Sequence, residues 1–194
     1  MATSEDEAAA AAVELAHFRA IPWCAAHLSA PDVVIDRSFS RRPKPKFEDA
    51  LLSYTLNRPD AIPAFVTFYR PPPPQEGPQA LVTEVKAFLS LGNLVNGWAG
   101  ICHGGIVMTI LDEVMGQIPA VNKLRGVMEN IPLMTAFLNT TFLKPVKTPT
   151  TVLVTGKLVR REGRKYYIDG LIEDENGTAL ARAEALFVML KARL

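Results

Sequence analysis

The sequence predicts an α+β fold: an antiparallel sheet packed on one long helix, with a helical extension at the N-terminus. Three observations carry that prediction. The stretch HGGIVMTILDEVMGQI (residues 103–118) is apolar on nearly every side, as a deeply buried helix is. One strand-like segment precedes it and four follow it, so strands are segregated from the helix rather than alternating with helices. With 48% hydrophobic and 21% charged residues, the chain has the apolar content a packed core needs and a disordered chain lacks.

In chain order, residues 1–12 (MATSEDEAAAAA) read as a frayed start. A helix follows over 9–30, with Val13, Leu15, Ala16 and Phe18 as its apolar stripe, a continuation after Pro22, and Pro31 as its stop. SFSRRPKPKFED (38–49) reads as a solvated basic connector, and Leu51–Leu56 as a short helix. PPPPQEGP (71–78) is an extended linker. The expected organisation is therefore a helical arm and proline-rich linker over 1–79, then a domain over 80–194.

Within that domain, Ala80–Ser90 reads as a strand and residues 92–100 as a glycine-rich loop. The long helix comes next, with Pro119 just beyond its end. Leu133–Phe142, Thr151–Arg160, Lys165–Glu173 and Thr178–Leu190 are strands. The third and fourth of these meet at a hairpin over Glu175, Asn176 and Gly177, since Asn-Gly tolerates positive φ.

Twenty-one Lys+Arg against twenty Asp+Glu leave a formal charge of +1, which argues against nucleic acid as a partner. No apolar run reaches the length of a membrane span. Two cysteines, Cys24 and Cys102, are too few for a disulfide scaffold or a four-cysteine zinc site and read as reduced thiols. His17, His27 and His103 lack ligand spacing, so no metal site is expected. The acidic N-terminus fits neither a signal nor a transit peptide. A cytoplasmic location is the expectation, and Ala192-Arg193-Leu194, a relaxed Ser-Lys-Leu peroxisomal address, supplies the alternative.

The long helix carries the chemistry. Asp112 and Glu113 sit in its apolar middle, where an unpaired carboxylate is costly. At its start stand His103, Gly104 and Gly105. The first N–H groups of a helix lack internal partners and lie at the positive end of its dipole, which suits a carbonyl oxygen gaining negative charge. His103 and Asp112 are nine positions apart, on opposite sides of the helix and about 13.5 Å apart along it. If they cooperate, the site joins two subunits.

GICHGGIVMTILDE (100–113), LMTAFLNTTFLKPV (133–146) and REGRKYYIDGLIEDENGTALARAEALFVML (161–190) resemble the hotdog-fold acyl-CoA thioesterases, in particular the phenylacetate-type branch and its mammalian relatives. The resemblance covers roughly residues 80–190. It implies a curved antiparallel sheet wrapped around the helix, chains paired edge to edge into dimers or tetramers, and hydrolysis of an acyl thioester. It implies that the Gly104 amide polarises the thioester carbonyl with His103 shaping that hole. Asp112 of the partner chain would act as base or nucleophile, and Thr135 would orient the water or the carboxylate. Asn96, Gly105 and Glu113 are candidate substrate contacts. Arg160, Arg161, Arg164 and Lys165 form a basic turn that suits the phosphates of coenzyme A or is simply solvated. Coenzyme A enters only as part of the substrate, and no cofactor is implied. The spacing from Asp112 to Thr135 is longer than usual for the family, residues 124–131 being the extra part.

Two other classes compete. A hydratase or dehydratase of the same fold would commonly pair an aspartate with a histidine five positions later, and no histidine follows His103. A non-catalytic acyl-thioester binder shares every feature of the fold.

Overall fold

A computed structural model describes residues 4–191. Two N-terminal helices, α1 (Ser4–Arg19) and α2 (Pro22–Leu28), precede strand β1 (Val34–Arg37) and β2 (Ala64–Tyr69). Strand β3 (Glu84–Leu91), a short ribbon of β4 (Asn96–Trp98) and β5 (Ile101–Cys102), and helix α3 (Gly104–Leu124) follow. The chain ends in β6 (Leu133–Phe142), β7 (Thr150–Glu162), β8 (Lys165–Glu173) and β9 (Ala179–Met189). Seven strands form one antiparallel sheet in the order β1-β2-β3-β7-β8-β9-β6, which leaves β6 at an edge.

Helix α3 crosses one face of this sheet. Ile110, Leu111, Val114, Met115 and Ile118 are fully buried on it. The close approach depends on Gly156 and Gly170, which are cross-strand neighbours. A Cβ on Gly156 would meet the Met115 Cα at 3.2 Å, and one on Gly170 would meet the Met115 Sδ at 2.9 Å. The opposite face of β2, β3 and β7 is covered by α1 and α2, through Phe18, Cys24 and Leu28 against Val66, Phe68, Phe88 and Leu153. Sandwiched this way, β2 is buried on both faces, whereas β8 and β9 alternate buried and exposed. Both cysteines are free and buried, one in each layer.

Several expectations differ from the structure. Residues 4–12 belong to α1 and are not frayed. The face of α1 that packs is set by Glu14 and Phe18, while Val13 is 70% exposed. Glu14 is buried because distant partners satisfy it: Arg37 Nε at 2.8 Å and the Phe65 amide at 2.8 Å donate to it, and Arg41 Nε lies 3.5 Å away. The basic connector is correspondingly not all solvated, since Arg41 is fully buried. The region 1–79 is more than a helical arm and linker, because β1 and β2 extend the domain's own sheet. The short helix expected at 51–56 is a π-helical turn over Leu51–Thr55.

Strand β3 starts at Glu84 rather than Ala80. Ahead of it, buried Asn122 of α3 takes the role of a strand neighbour, accepting from the Val82 amide and donating to the Val82 carbonyl, each at 2.8 Å. That anchor also explains why α3 runs through Pro119 to Leu124. A proline inside a helix removes one backbone hydrogen bond, and burial of Ile118, Val121 and Asn122 on both sides of it holds the helix together. The residues Ala192, Arg193 and Leu194 lie outside the described residues.

Candidate active site

The N-terminus of α3 is shaped by the segment before it. Backbone of His103 is extended (φ −62°, ψ 134°), as a helix N-cap is, and its amide donates to the Val95 carbonyl at 2.8 Å. The imidazole Nδ1 accepts the Gly105 amide at 2.9 Å. A Cβ on Gly105 would sit 3.0 Å from that nitrogen, which is why the ring can fold back here. The Gly105 amide is therefore occupied. The Gly104 amide is the first of the helix and has no acceptor among the described residues. Phe142 packs beside it, 3.4 Å from where a Gly104 Cβ would stand.

Asn96 belongs to the same end. It is paired with Cys102, and its side-chain oxygen accepts from the Thr148 hydroxyl.

Asp112 lies eight positions further along α3, about 12 Å up the axis. The hydroxyl of Thr135, on edge strand β6, donates to its Oδ1 at 2.9 Å. The long spacing between these two residues does not keep them apart, because residues 124–131 only carry the chain from the end of α3 back to β6. Burial raises the Asp112 pKa above its ordinary 3.8, and the Thr135 bond pulls it partly back. Glu113 faces the same cleft. Its carboxyl accepts from Gln117 Nε2 at 2.6 Å; burial pushes it up to about 7, and neighbouring Ser40 and Gln117 hold it partly back. The cleft beside both acids holds about 910 Å³.

The basic turn joins β7 to β8, at the same end of β6 as Thr135: Lys165 pairs with Val188, which pairs with Met134. Arg160 is committed to Glu162 at 2.6 Å and lies over the Tyr167 ring. Arg161 lies over Tyr166, and Arg164 donates to the Met189 carbonyl at 2.7 Å. Lys165 is exposed.

The predicted residues thus form two groups within one chain: His103, Gly104, Gly105 and Asn96 at one end, and Asp112, Glu113, Thr135 and the basic turn at the other. Sequence reasoning missed Ser40, Gln117, Phe39 and Asp49, all at the second group. Gln117 sits one turn after Glu113 and was legible as its partner. Nothing in the sequence brings Phe39, Ser40 or Asp49 there. Among the described residues no cluster of His, Cys, Asp and Glu has the make-up of a metal site, and no helix is long and apolar enough to cross a membrane.

A family model described as the thioesterase superfamily matches residues 99–181, from the helix N-terminus into β9. A verlamelin biosynthesis protein of a Lecanicillium species is 30% identical over 165 residues, which is 72% of this chain and 71% of that protein. The acyl-coenzyme A thioesterase THEM4 of Mus musculus is 33% identical over 97 residues, 50% of this chain, and the match spans only 39% of the mouse protein's length. Among solved structures, a Streptococcus mutans protein bound to acetyl-CoA superposes with a TM-score of 0.50 at 18% identity, over 58% of this chain and 85% of its own. The yhdA protein of Lactococcus lactis superposes at 0.51 with 17% identity, over 57% and 84%. These two share the fold. The chain is a hotdog-fold protein and belongs to the thioesterase superfamily.

Proposed function

We propose that this protein hydrolyses an acyl-CoA thioester at a site completed by two copies of the chain. One observation carries the reading: the Gly104 amide, unpartnered among the described residues, and the Asp112 carboxyl are packed on opposite ends of the same edge strand, by Phe142 and Thr135 respectively. A two-fold axis near Leu138 and Asn139 would pair β6 with its counterpart in antiparallel fashion. Thr135 of one copy would then oppose Phe142 of the other, and Asp112 would come to the partner's Gly104. Edge strands need such cover, and β6 exposes Met134, Phe137 and Phe142.

In that site the thioester carbonyl oxygen accepts the Gly104 amide at the positive end of α3. Asp112, ionised, takes a proton from water, and the resulting hydroxide attacks the carbonyl carbon. The Thr135 hydroxyl holds one carboxylate oxygen and leaves the other for the water. As the tetrahedral oxyanion collapses, the C–S bond breaks and the thiolate receives the proton from Asp112. Products are the free acid and coenzyme A. The name of the mouse relative supports an acyl-CoA substrate. The hydratase reading finds no support here, because no histidine lines the cleft beside Asp112.

Complementation tests the arrangement. Asp112→Asn and Gly104→Pro are expected to be inactive separately, the proline being tolerated at the first helical position after an extended residue. Mixed dimers carry one site with both native groups, so mixing should restore thiol release. No recovery after subunit exchange, with mixed dimers demonstrated, would refute the two-chain site. Absence of thiol release by the wild type across short, long and aryl acyl-CoAs would refute the activity.

A further inference from the structure

The cleft beside Asp112 has a wall built from outside the region that defines the family. It runs along the C-terminal half of α3, past Gln117 and Ala120 to Leu124, and Phe39 closes its other side. A second cavity of about 230 Å³ lies beyond, bounded by Val34, Thr67 and Tyr69 of β1 and β2. Phe39, Gln117, Ala120 and Leu124 border both spaces, so Phe39 stands at the partition between them. The ring is held in place. Lys44 Nζ lies 3.3 Å from its centroid and is itself paired with Asp49 and Glu48. The turn Phe39–Arg41 itself packs against α3.

From Asp112 to Leu124 is twelve positions, about 18 Å along the helix. That span suits an extended fatty chain and exceeds an acetyl or phenylacetyl group. Pro119, Ala120, Leu133 and Phe187 give it apolar walls, and the carboxyls along it have protein partners: Glu48 and Asp49 meet Lys44, and Glu113 meets Gln117.

We propose that Phe39 is a specificity-determining residue: a linear fatty acyl tail runs from Asp112 along this passage, and the arm's Phe39 sets the length it accepts. The carbonyl end of this assignment rests on the thioesterase reading above. Two measurements on the full chain test it: the ratio of kcat/KM for hexadecanoyl-CoA over hexanoyl-CoA, and hexadecanoate binding by calorimetry. Ala120→Phe fills the passage and should lower the ratio and weaken hexadecanoate binding, each by about tenfold or more. Phe39→Ala joins the two cavities and should raise the ratio several-fold. Leu124→Trp, at a position 67% exposed, narrows the same passage from its rim and serves if Ala120→Phe does not fold. An unchanged ratio in Phe39→Ala overturns the proposal, as do an unchanged ratio with unchanged hexadecanoate binding in the narrowing variants and a wild type that binds no hexadecanoate. A wild type that binds hexadecanoate in an Ala120-dependent way, yet cleaves neither ester, removes the thioesterase reading and keeps the passage.

Discussion

The two halves of α3 differ in what packs against them. Around residues 103–112 the helix keeps an open flank: His103 and Gly105 are exposed, Met108 is 36% exposed, and the Gly104 amide is unpartnered among the described residues. From Glu113 to Leu124 the chain's own arm closes over it, with Phe39, Ser40 and Asp49 at the cleft and Asn122 bonded to Val82. In the proposed assembly a second copy completes the first half. The second half is finished within the chain. The two proposals thus place polar chemistry and substrate shape on separate segments of one helix.

The largest test of that division is Asp112→Asn, which should lower kcat by about 10²–10⁴-fold on every acyl-CoA alike, with circular dichroism unchanged. An effect confined to long acyl groups would place Asp112 with the passage instead of the chemistry. Next in size is Thr135→Val. Loss of its hydrogen bond should reduce kcat/KM by about tenfold and move the acidic limb of the pH–rate profile upward, because that bond lowers the Asp112 pKa. In the wild type that limb should already lie above an ordinary aspartate, since activity falls as the buried carboxylate is protonated. A limb unmoved by Thr135→Val would break the coupling between β6 and the base.

The smallest expected effect is on stability, at Glu113. Its carboxyl keeps its proton to about 7 in the folded protein against 4.5 ordinarily. Between those values the folded state binds more protons than the unfolded chain, so stability falls as pH rises through that window. Glu113→Gln should flatten the fall in melting temperature across it. An equally steep fall in the variant would assign the titration to another group.

How much was legible differs along the chain for physical reasons. Strands β6 and β8 have the ends the sequence predicts, Leu133–Phe142 and Lys165–Glu173, because turn residues such as Gly163 (φ +56°) bound local β patterns. The start of α3 at His103, Gly104 and Gly105 was readable because helix starts are local events, whereas the capping bond of the His103 ring was not read. Strand β2 was within reach: AFVTFY (64–69) is a β-branched and aromatic run between prolines. Pro119 misled because its local cost is outweighed by burial that sequence does not display. Arg41 misled likewise, since the carboxylate and carbonyls that face it, Glu14, Leu52 and Pro63, come from other parts of the chain.

By itself the sequence determined the sheet-and-helix class, the amide-bearing helix start and the spacing that keeps His103 and Asp112 from one reactive atom. Hydrophobic period, turn chemistry and helical rise are local and survive in any context. The resemblance anticipated Thr135 beside the carboxylate; the tertiary structure gave their hydrogen bond, and it alone decided that β6 is the free edge and that Phe39 closes the cleft. Those contacts join residues 23 positions or more apart, and they depend on how whole layers pack.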